Sequence, residues 1–264
     1  MVILAGSLYL ISTAVFSVFS IVVGIRLIVL SRRTQQVPER SLGLGLIGVA
    51  GLGYGILIFA MVGKRAAGGA DAPEFYTWLI GLGWVFHNFG VVFLLDFVQK
   101  VFRPEESWAQ SLKYVLIIVL WGGWIADVFD GGLTAGRPGV YYWISFAVIG
   151  TYPLWTTIEA FRYWEQMRKR VLLGMADPLV ANRFLLWTIA SIFSLASIWT
   201  VQIPAFLGYE RMSAAAEQIT SITLLCTAAF GIATICVYAL AFFPPQWYKN
   251  RFSAASAGAT EASS

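Results

Sequence analysis

His87 and Asn88 are the side chains best suited to chemistry, because they are polar groups in the middle of an apolar stretch. His87 is the only histidine of the chain. A polar side chain at mid-membrane depth is costly to bury, so the pair could bind a ligand, carry a proton or bond to a neighbouring helix. Gly83 and Gly90 share a helical stripe with His87, which indicates that a partner backbone can approach this face.

Aromatic residues gather toward one end of the third to sixth apolar stretches. An aromatic belt at the membrane interface explains those at the boundary, but Trp84 and Trp199 lie too deep for it. With His87, Asn88 and Gln202 they could line a pocket for a flat or apolar ligand: a lipid, a quinone or a pigment. Packing of the rings within the bundle is the alternative. The aromatic residues are Trp78, Trp84, Trp121, Trp124, Tyr141, Tyr142, Trp143 and Trp199.

The carboxylates within apolar stretches have simpler explanations. Asp96 lies four residues before Lys100, which predicts a local ion pair, and Glu159 precedes Arg162 by one turn, which predicts another. Two more end the fourth helix, where solvation explains them: Asp127 and Asp130. A transporter or membrane enzyme using His87 and Asp96 is a third and weaker hypothesis.

Several functions are excluded by what the sequence lacks. One histidine is too few for bis-histidine haem, a membrane zinc hydrolase or a di-iron desaturase. The last apolar stretch has no lysine for a retinal Schiff base, and there is no phosphate-binding loop. Cys226 and Cys236 are ten residues apart on one helix, too far for a disulfide. We therefore predict no metal, no catalytic residue and no enzymatic activity, and the sequence identifies no cofactor.

Composition places these residues in a membrane. Apolar residues make up 58% of the chain and charged residues 12%, whereas a soluble domain carries about 25% charged residues. Seven apolar stretches are separated by connections that alternate in charge. Fourteen of the eighteen Lys and Arg residues lie in four of the segments between or after these stretches, namely Arg26–Arg40, Lys100–Lys113, Arg162–Arg183 and Lys249–Arg251.

This asymmetry predicts the topology, because cytoplasmic loops keep Lys and Arg. We expect an all-α polytopic protein of the bacterial inner membrane, with the N-terminus outside and the C-terminus cytoplasmic. Residues 1–247 would form seven transmembrane helices, and residues 248–264 a short disordered cytoplasmic tail. The net charge of +4 comes mostly from the inner loops, so it does not predict nucleic-acid binding.

Three helices carry further signals. The second is rich in glycine, and Gly48, Gly51 and Gly55 fall on one stripe, which favours tight packing in the bundle over a homodimer seam. The fifth begins near Val140, contains Pro153 and would be about 50 Å long, so that roughly 20 Å projects into the cytoplasm. We expect the fifth helix to end at Gly174. The sixth should begin at Asp177-Pro178, an N-cap followed by proline at N1. The predicted helices are 6–30, 42–63, 75–101, 112–129, 140–173, 178–204 and 214–243.

Two motifs carry a resemblance. They are Gly174-Met-Ala-Asp-Pro-Leu-Val-Ala-Asn-Arg-Phe-Leu-Leu-Trp187 and Phe242-Phe-Pro-Pro-Gln-Trp-Tyr248. They resemble a largely uncharacterised bacterial family of seven-helix membrane proteins, similar to the sensor modules that precede some bacterial histidine kinases. In those modules the Pro-Pro-x-Trp turn leads to the cytoplasmic output. This chain ends about twenty residues after that turn, so we expect the output to lie on a separate protein.

Two functions remain open. The first is a receptor-like or sensory protein that binds a small apolar or aromatic ligand near Trp84, His87, Asn88, Trp199 and Gln202. Its signal would reach a membrane or cytoplasmic partner through a surface formed by Arg162, Glu165, Asp177 and Arg183. The second is a structural or accessory subunit of a larger respiratory or photosynthetic membrane complex, which the small loops and the glycine-rich second helix fit equally well.

Overall fold

The regular structure is helical throughout the part of the chain that can be described. The computed structural model describes residues 2–35, 37–133, 138–209 and 217–252. The main elements are α1 (Val2–Thr34), α2 (Val37–Leu46), a π-helical segment (Ile47–Gly53), α3 (Tyr54–Ala66), α4 (Glu74–Phe102), α5 (Ser107–Phe129), α6 (Val140–Leu172), α7 (Pro178–Thr200), α8 (Ile203–Phe206) and α9 (Glu217–Phe242).

Six helical stretches are long and apolar enough to cross a membrane, which confirms a polytopic all-α architecture. They are Leu4–Thr34, Val37–Ala66, Glu74–Phe102, Ser107–Phe129, Pro178–Thr200 and Gln218–Phe242. The second of these joins α2, the π segment and α3 into one span. Helix α6 is not among the six, although it is as long as α1. Its last third holds several charged residues, and Tyr, Trp, Thr and Pro residues interrupt the apolar part before it, so its mean hydropathy is low.

The spans pack in chain order around a ring. Helix α1 contacts α2 and the π segment, α4 contacts the second span and α5, and α6 contacts both α5 and α7. Contacts of α7 with α9 and of α9 with α1 close the ring. Helix α4 also contacts α6, so it contacts a third helix besides its two neighbours in the ring, the second span and α5. We call the end with the connections 103–106 and 173–177 the basic end, and the opposite end the aromatic end.

Close packing between α4 and the second span confirms that a neighbouring backbone approaches the face of α4 that carries Gly83, His87 and Gly90. A Cβ on Gly83 would lie 2.8 Å from the Leu57 side chain, and a Cβ on Gly53 would lie 2.9 Å from Cα of His87. A Cβ on Gly90 would overlap the backbone nitrogen of Val49. The two backbones therefore meet at positions where only glycine leaves room for them.

The glycines of the second span do not share one face as their spacing predicts. Gly48 lies against Gly90 of α4, whereas Gly51 lies against Ile21 of α1. A Cβ on Gly55 would meet no atom within 4 Å. The π segment explains the difference, because its wider turn shifts the residues after it to a new angle. The second span is nevertheless clamped between α1 and α4, as tight bundle packing requires.

The connection from α6 to α7 forms as its residues indicate. Gly174 has a positive φ of 69°, and the backbone N–H of Met175 donates to the carbonyl of Arg170 at 2.8 Å. This is the hydrogen bonding of a helix that ends on a left-handed glycine. Asp177 then caps α7 by accepting from the N–H of Leu179 at 2.8 Å.

Beyond α9 the chain remains helical for a short distance. Residues 246–252 form a helical stretch, so regular structure extends five residues into the segment predicted to be a disordered tail. The rest of that segment, residues 253–264, lies outside the described residues.

Candidate ligand cleft

A cleft at the aromatic end is lined mainly by three helices, α4, α5 and α6, whose lining residues recur at helical spacing, and Met61 of α3 adds to its wall. Its empty space, including the open mouth, is about 580 Å³. Side chains three or four residues apart lie on one helix face, so each helix contributes a single stripe. The stripes are Ile80, Trp84 and Asn88 on α4, Trp124 and Asp127 on α5, and Tyr142, Ser145, Phe146 and Ile149 on α6.

Two polar groups on this cleft make no hydrogen bond of good geometry among the described residues. Asn88 is only 1% exposed, and its amide makes no hydrogen bond of good geometry, the polar group nearest to it in the chain being the imidazole of His87, with which it interacts weakly. The buried indole nitrogen of Trp124 likewise makes no such hydrogen bond. Ser145 differs, because its hydroxyl donates to the carbonyl of Leu120 at 2.7 Å and so joins α6 to α5. The cleft therefore offers one amide and one indole N–H for recognition.

Asp127 also lines the cleft, which the sequence did not lead us to expect. We expected water to solvate Asp127 at the end of its helix, yet its side chain is buried with 8% exposure. A turn brings it inside: Gly131 has φ of 80°, and the N–H of Gly132 donates to the carbonyl of Asp127 at 2.7 Å. This turn and Leu133 also form part of the cleft wall. Asp130, by contrast, is exposed as expected.

His87 lies behind the cleft rather than on its surface. It is 1% exposed, and its ring centroid is 5.2 Å from that of Tyr54 and 5.3 Å from that of Trp84. Neither ring nitrogen makes a hydrogen bond of good geometry among the described residues, and the side chain of Asn88 is the polar group with which the ring interacts. Trp84 thus contacts His87 and also lines the cleft.

The structure does not bring Trp199 and Gln202 to the cleft. Trp199 is 43% exposed and packs edge-to-face on Phe146, with ring centroids 5.2 Å apart. It therefore touches a lining residue without lining the cleft itself. Gln202 lies between α7 and α8, where its backbone N–H donates to the carbonyl of Trp199. Of the five predicted ligand-binding residues, Trp84 and Asn88 line the cleft.

A cluster toward the basic end of α4 shows the opposite kind of burial, with every charge paired. We call Ser41, Asp96, Gln99, Lys100 and Lys113 the ionic cluster. Asp96 accepts hydrogen bonds from Ser41 at 2.7 Å, from Lys100 at 2.7 Å and from Lys113 at 3.0 Å. Lys113, only 7% exposed, also donates to the side-chain oxygen of Gln99 at 3.2 Å. The predicted Asp96–Lys100 pair is confirmed, as part of a network that ties α2, α4 and α5 together.

Glu159 belongs to a second ion pair at the same end. It is 1% exposed and accepts a hydrogen bond from Nε of Arg103 at 3.0 Å. The predicted ion pair with Arg162 also forms, at the longer distance of 3.7 Å. The hydrogen bond with Glu159 raises the pKa of Arg103, which lies just beyond α4. This pair fastens the α4–α5 connection to α6.

The residues of the predicted signalling surface are spread along the basic end. Arg162 is exposed on α6, and Arg183 is exposed on α7. Asp177 is exposed and is engaged as the cap of α7. Glu165 is exposed. Arg168 lies over the ring of Trp164, 5.6 Å from its centroid.

A cavity between α1, the second span, α6, α7 and α9 is a weaker candidate, although hydroxyl groups line it. Most of these hydroxyls already bond to helix carbonyls. Ser12 donates to Ala228 at 3.1 Å, Thr227 to Thr223 at 2.7 Å and Thr234 to Phe230 at 2.9 Å. Bonded hydroxyls leave little for a ligand to recognise, so the cleft is the better site.

Comparison with known proteins gives no relative from which to assign the site. No family model, curated protein or solved structure matches this chain. Among the described residues no three His, Cys, Asp or Glu side chains are arranged to hold a metal ion. The site must therefore be interpreted from its own geometry.

Proposed function

We propose that this protein is a receptor-like membrane protein with seven spans, counting α6 in addition to the six apolar helices. Helix α6 is 33 residues long and packs between α5 and α7, with further contacts to α4. A helix lodged among three spans has to follow them through the bilayer, which supports counting it as a span. The distribution of Lys and Arg favours a bacterial inner membrane with the N-terminus outside. The cleft would then open outward.

The observation that carries the proposal is the pair of buried polar groups on an aromatic cleft. Leaving an amide and an indole N–H without a partner in an apolar interior costs free energy. Natural interiors avoid this cost, so each exception points to a role outside stability. A few polar groups set among aromatic side chains are typical of sites that bind small molecules. The ligand would be a small apolar or aromatic molecule.

Helix α6 offers a route from the cleft to the cytoplasm. It lines the cleft through Tyr142, Ser145 and Phe146 near its start. The same uninterrupted helix ends at Leu172, where Leu172 and Met175 just beyond it are 78% and 70% exposed. A shift of α6 on ligand binding would therefore move a surface that is free to contact a partner protein.

Single-cysteine labelling tests both the orientation and the cleft. Cys226 and Cys236 are replaced by serine, and one cysteine is introduced either as Leu133→Cys at the cleft or as Met175→Cys after α6. A membrane-impermeant maleimide should label Leu133→Cys in intact cells and Met175→Cys only after permeabilisation. In the purified protein, an organic extract of the native membrane should slow labelling at Leu133→Cys, because a bound molecule covers it.

Met175→Cys serves as the matched control, since it lies at the opposite end of the bundle. The extract should leave its labelling rate unchanged. Labelling of Met175→Cys in intact cells, with Leu133→Cys labelled only after permeabilisation, would contradict the orientation. An extract that slows neither position would contradict ligand binding in the cleft.

A further inference from the structure

We propose that the ligand of the cleft is a neutral flat-ring molecule with a group that both donates and accepts a hydrogen bond, recognised by Asn88 and Trp124. This inference rests on the proposed function, since it specifies what the same site binds. A hydroxyl on a ring, as in a phenol, naphthol or quinol, is the simplest group of this kind. Trp124 was not among the predicted ligand-binding residues.

The hydrogen-bonding inventory of the two side chains defines the complementary group. The amide of Asn88 has two donor hydrogens and one acceptor oxygen, whereas the indole of Trp124 can only donate. The two amide atoms of Asn88 and the indole nitrogen of Trp124 make no hydrogen bond of good geometry among the described residues. The weak interaction of Asn88 with His87 leaves the amide available for a better partner. A ligand hydroxyl can accept from either donor and donate to the amide oxygen. A pure acceptor would leave that oxygen unmatched.

The charges around the cleft favour a neutral ligand. The lining residues include no Lys or Arg in the part of the chain that the structure describes, so an anion would find no counter-charge. The carboxyl group of Asp127 would repel an anion. Asp127 takes part in an interaction within the protein, so the ligand need not supply a partner for its carboxyl group.

The apolar lining favours a flat ring. The rings of Trp84 and Tyr142 stand at 87° to each other, with centroids 6.2 Å apart, and form one corner of the cleft. Phe146 and Ile149 add apolar surface along α6. Aromatic pairs prefer edge-to-face or offset contacts, and a corner of two perpendicular rings offers a flat guest one face and one edge.

Three matched probes test the hydrogen-bonding requirement. Naphthalene has no polar group, 2-methoxynaphthalene can only accept, and 2-naphthol can donate and accept. Binding is measured by titration calorimetry on the full chain in lipid nanodiscs, with empty nanodiscs subtracted. We expect 2-naphthol to bind about tenfold more tightly than naphthalene, since one or two neutral hydrogen bonds give that factor. 2-Methoxynaphthalene should fall between them.

Two variants assign the effect to the two side chains. Asn88→Leu should bring 2-naphthol and naphthalene to within about twofold of each other, and Trp124→Phe should weaken 2-naphthol about threefold. Gln202→Leu makes the same amide-to-leucine change away from the cleft, so it should preserve the tenfold ratio. Size-exclusion chromatography and circular dichroism check that each variant is folded, and Trp124→Phe carries the test if Asn88→Leu does not fold.

The outcomes separate this inference from the proposed function. Equal binding of the three probes to the unaltered protein, or tightest binding of the 2-naphthoate anion, would overturn the inference and leave the cleft as a binding site. Failure of every probe to bind would contradict the proposed function as well. A tenfold ratio that survives in Asn88→Leu and Trp124→Phe would overturn the assignment to these residues.

Discussion

The two halves of α4 bury polar side chains in opposite ways. Toward the aromatic end, His87 and Asn88 are each 1% exposed and none of their side-chain polar atoms makes a hydrogen bond of good geometry among the described residues. Toward the basic end, Asp96 accepts three hydrogen bonds from residues on α2, α4 and α5. One helix thus carries both an unsatisfied polar site and a satisfied one.

The difference indicates different roles for the two regions. A charge that is paired and hydrogen-bonded can be buried without large penalty, but it becomes a liability once its partner is removed. A neutral polar group without a partner is a liability from the start, and a bound water or a ligand is needed to relieve it. The ionic cluster is therefore suited to stabilising the fold, whereas the cleft is suited to binding a ligand. Substitutions in the two regions should change stability with opposite signs.

The largest effect is expected at the centre of the ionic cluster. Asp96→Ala removes the carboxylate that neutralises Lys113, which is only 7% exposed. Leaving that ammonium buried without its counter-charge should lower the free energy of unfolding by about 3–5 kcal/mol. Unfolding by SDS titration in mixed micelles measures this loss.

Lys100→Ala is the matched control for that experiment. Lys100 bonds to the same carboxylate at 2.7 Å, but its side chain is 38% exposed. An ion pair open to water contributes about 1 kcal/mol or less. Equal losses for Asp96→Ala and Lys100→Ala would show that burial of Lys113 is not what makes the cluster stabilising.

An intermediate effect is expected at the glycine contact that lies between the two regions. A Cβ on Gly90 would overlap the backbone nitrogen of Val49, and backbone cannot move aside as a flexible side chain can. Gly90→Ala should therefore reduce stability by about 1–3 kcal/mol. Gly55→Ala should be neutral or stabilising by up to about 1 kcal/mol, because a Cβ there meets no atom within 4 Å.

Gly90→Ala should affect both ligand binding in the cleft and the stability of the bundle, so the two properties are measured on the same variant. Wedging α4 away from the second span should weaken probe binding in the cleft as well as stability, since Asn88 lies two residues before Gly90. Thermal unfolding followed by circular dichroism and calorimetric binding of 2-naphthol report the two effects. A Gly90→Ala protein as stable as the unaltered one would show that the helices are not in contact at this glycine.

Much of the fold could be predicted from local sequence signals. Glycine, proline and capping residues act on their immediate neighbours, so the stop at Gly174 and the start at Asp177 were identified correctly. The face of α4 that packs against the second span was also predicted, because Gly83, His87 and Gly90 share one helical stripe. The π segment was not predicted, and it moved Gly51 from the face of Gly48 to a different one. No residue pattern in that stretch distinguishes a π turn from an α turn.

The site could be predicted only in part, because its residues come from four helices and the turn after α5. Trp84 and Asn88 were found since they are neighbours on α4. Trp124 and Asp127 lie more than thirty residues further along, and only the packing of α5 on α4 and α6 brings them to the same cleft. The spacing of Trp124 and Asp127 on one face of α5 was the available signal. The link between Asp96 and Lys113 was missed for the same reason.

The smallest effect, and the one that separates the two regions most directly, is expected for Asn88→Leu. Leucine is close to asparagine in size and shape and has no polar atoms, so it removes the buried amide that lacks a partner. The free energy of unfolding should rise by about 1 kcal/mol, whereas Asp96→Ala lowers it. SDS titration measures both proteins under the same conditions. A loss of stability in Asn88→Leu would mean that the amide is bonded within the protein, and the contrast between cleft and ionic cluster would then disappear. A gain accompanied by the loss of 2-naphthol selectivity would mean that the amide is kept for binding at the expense of stability, as functional sites commonly are.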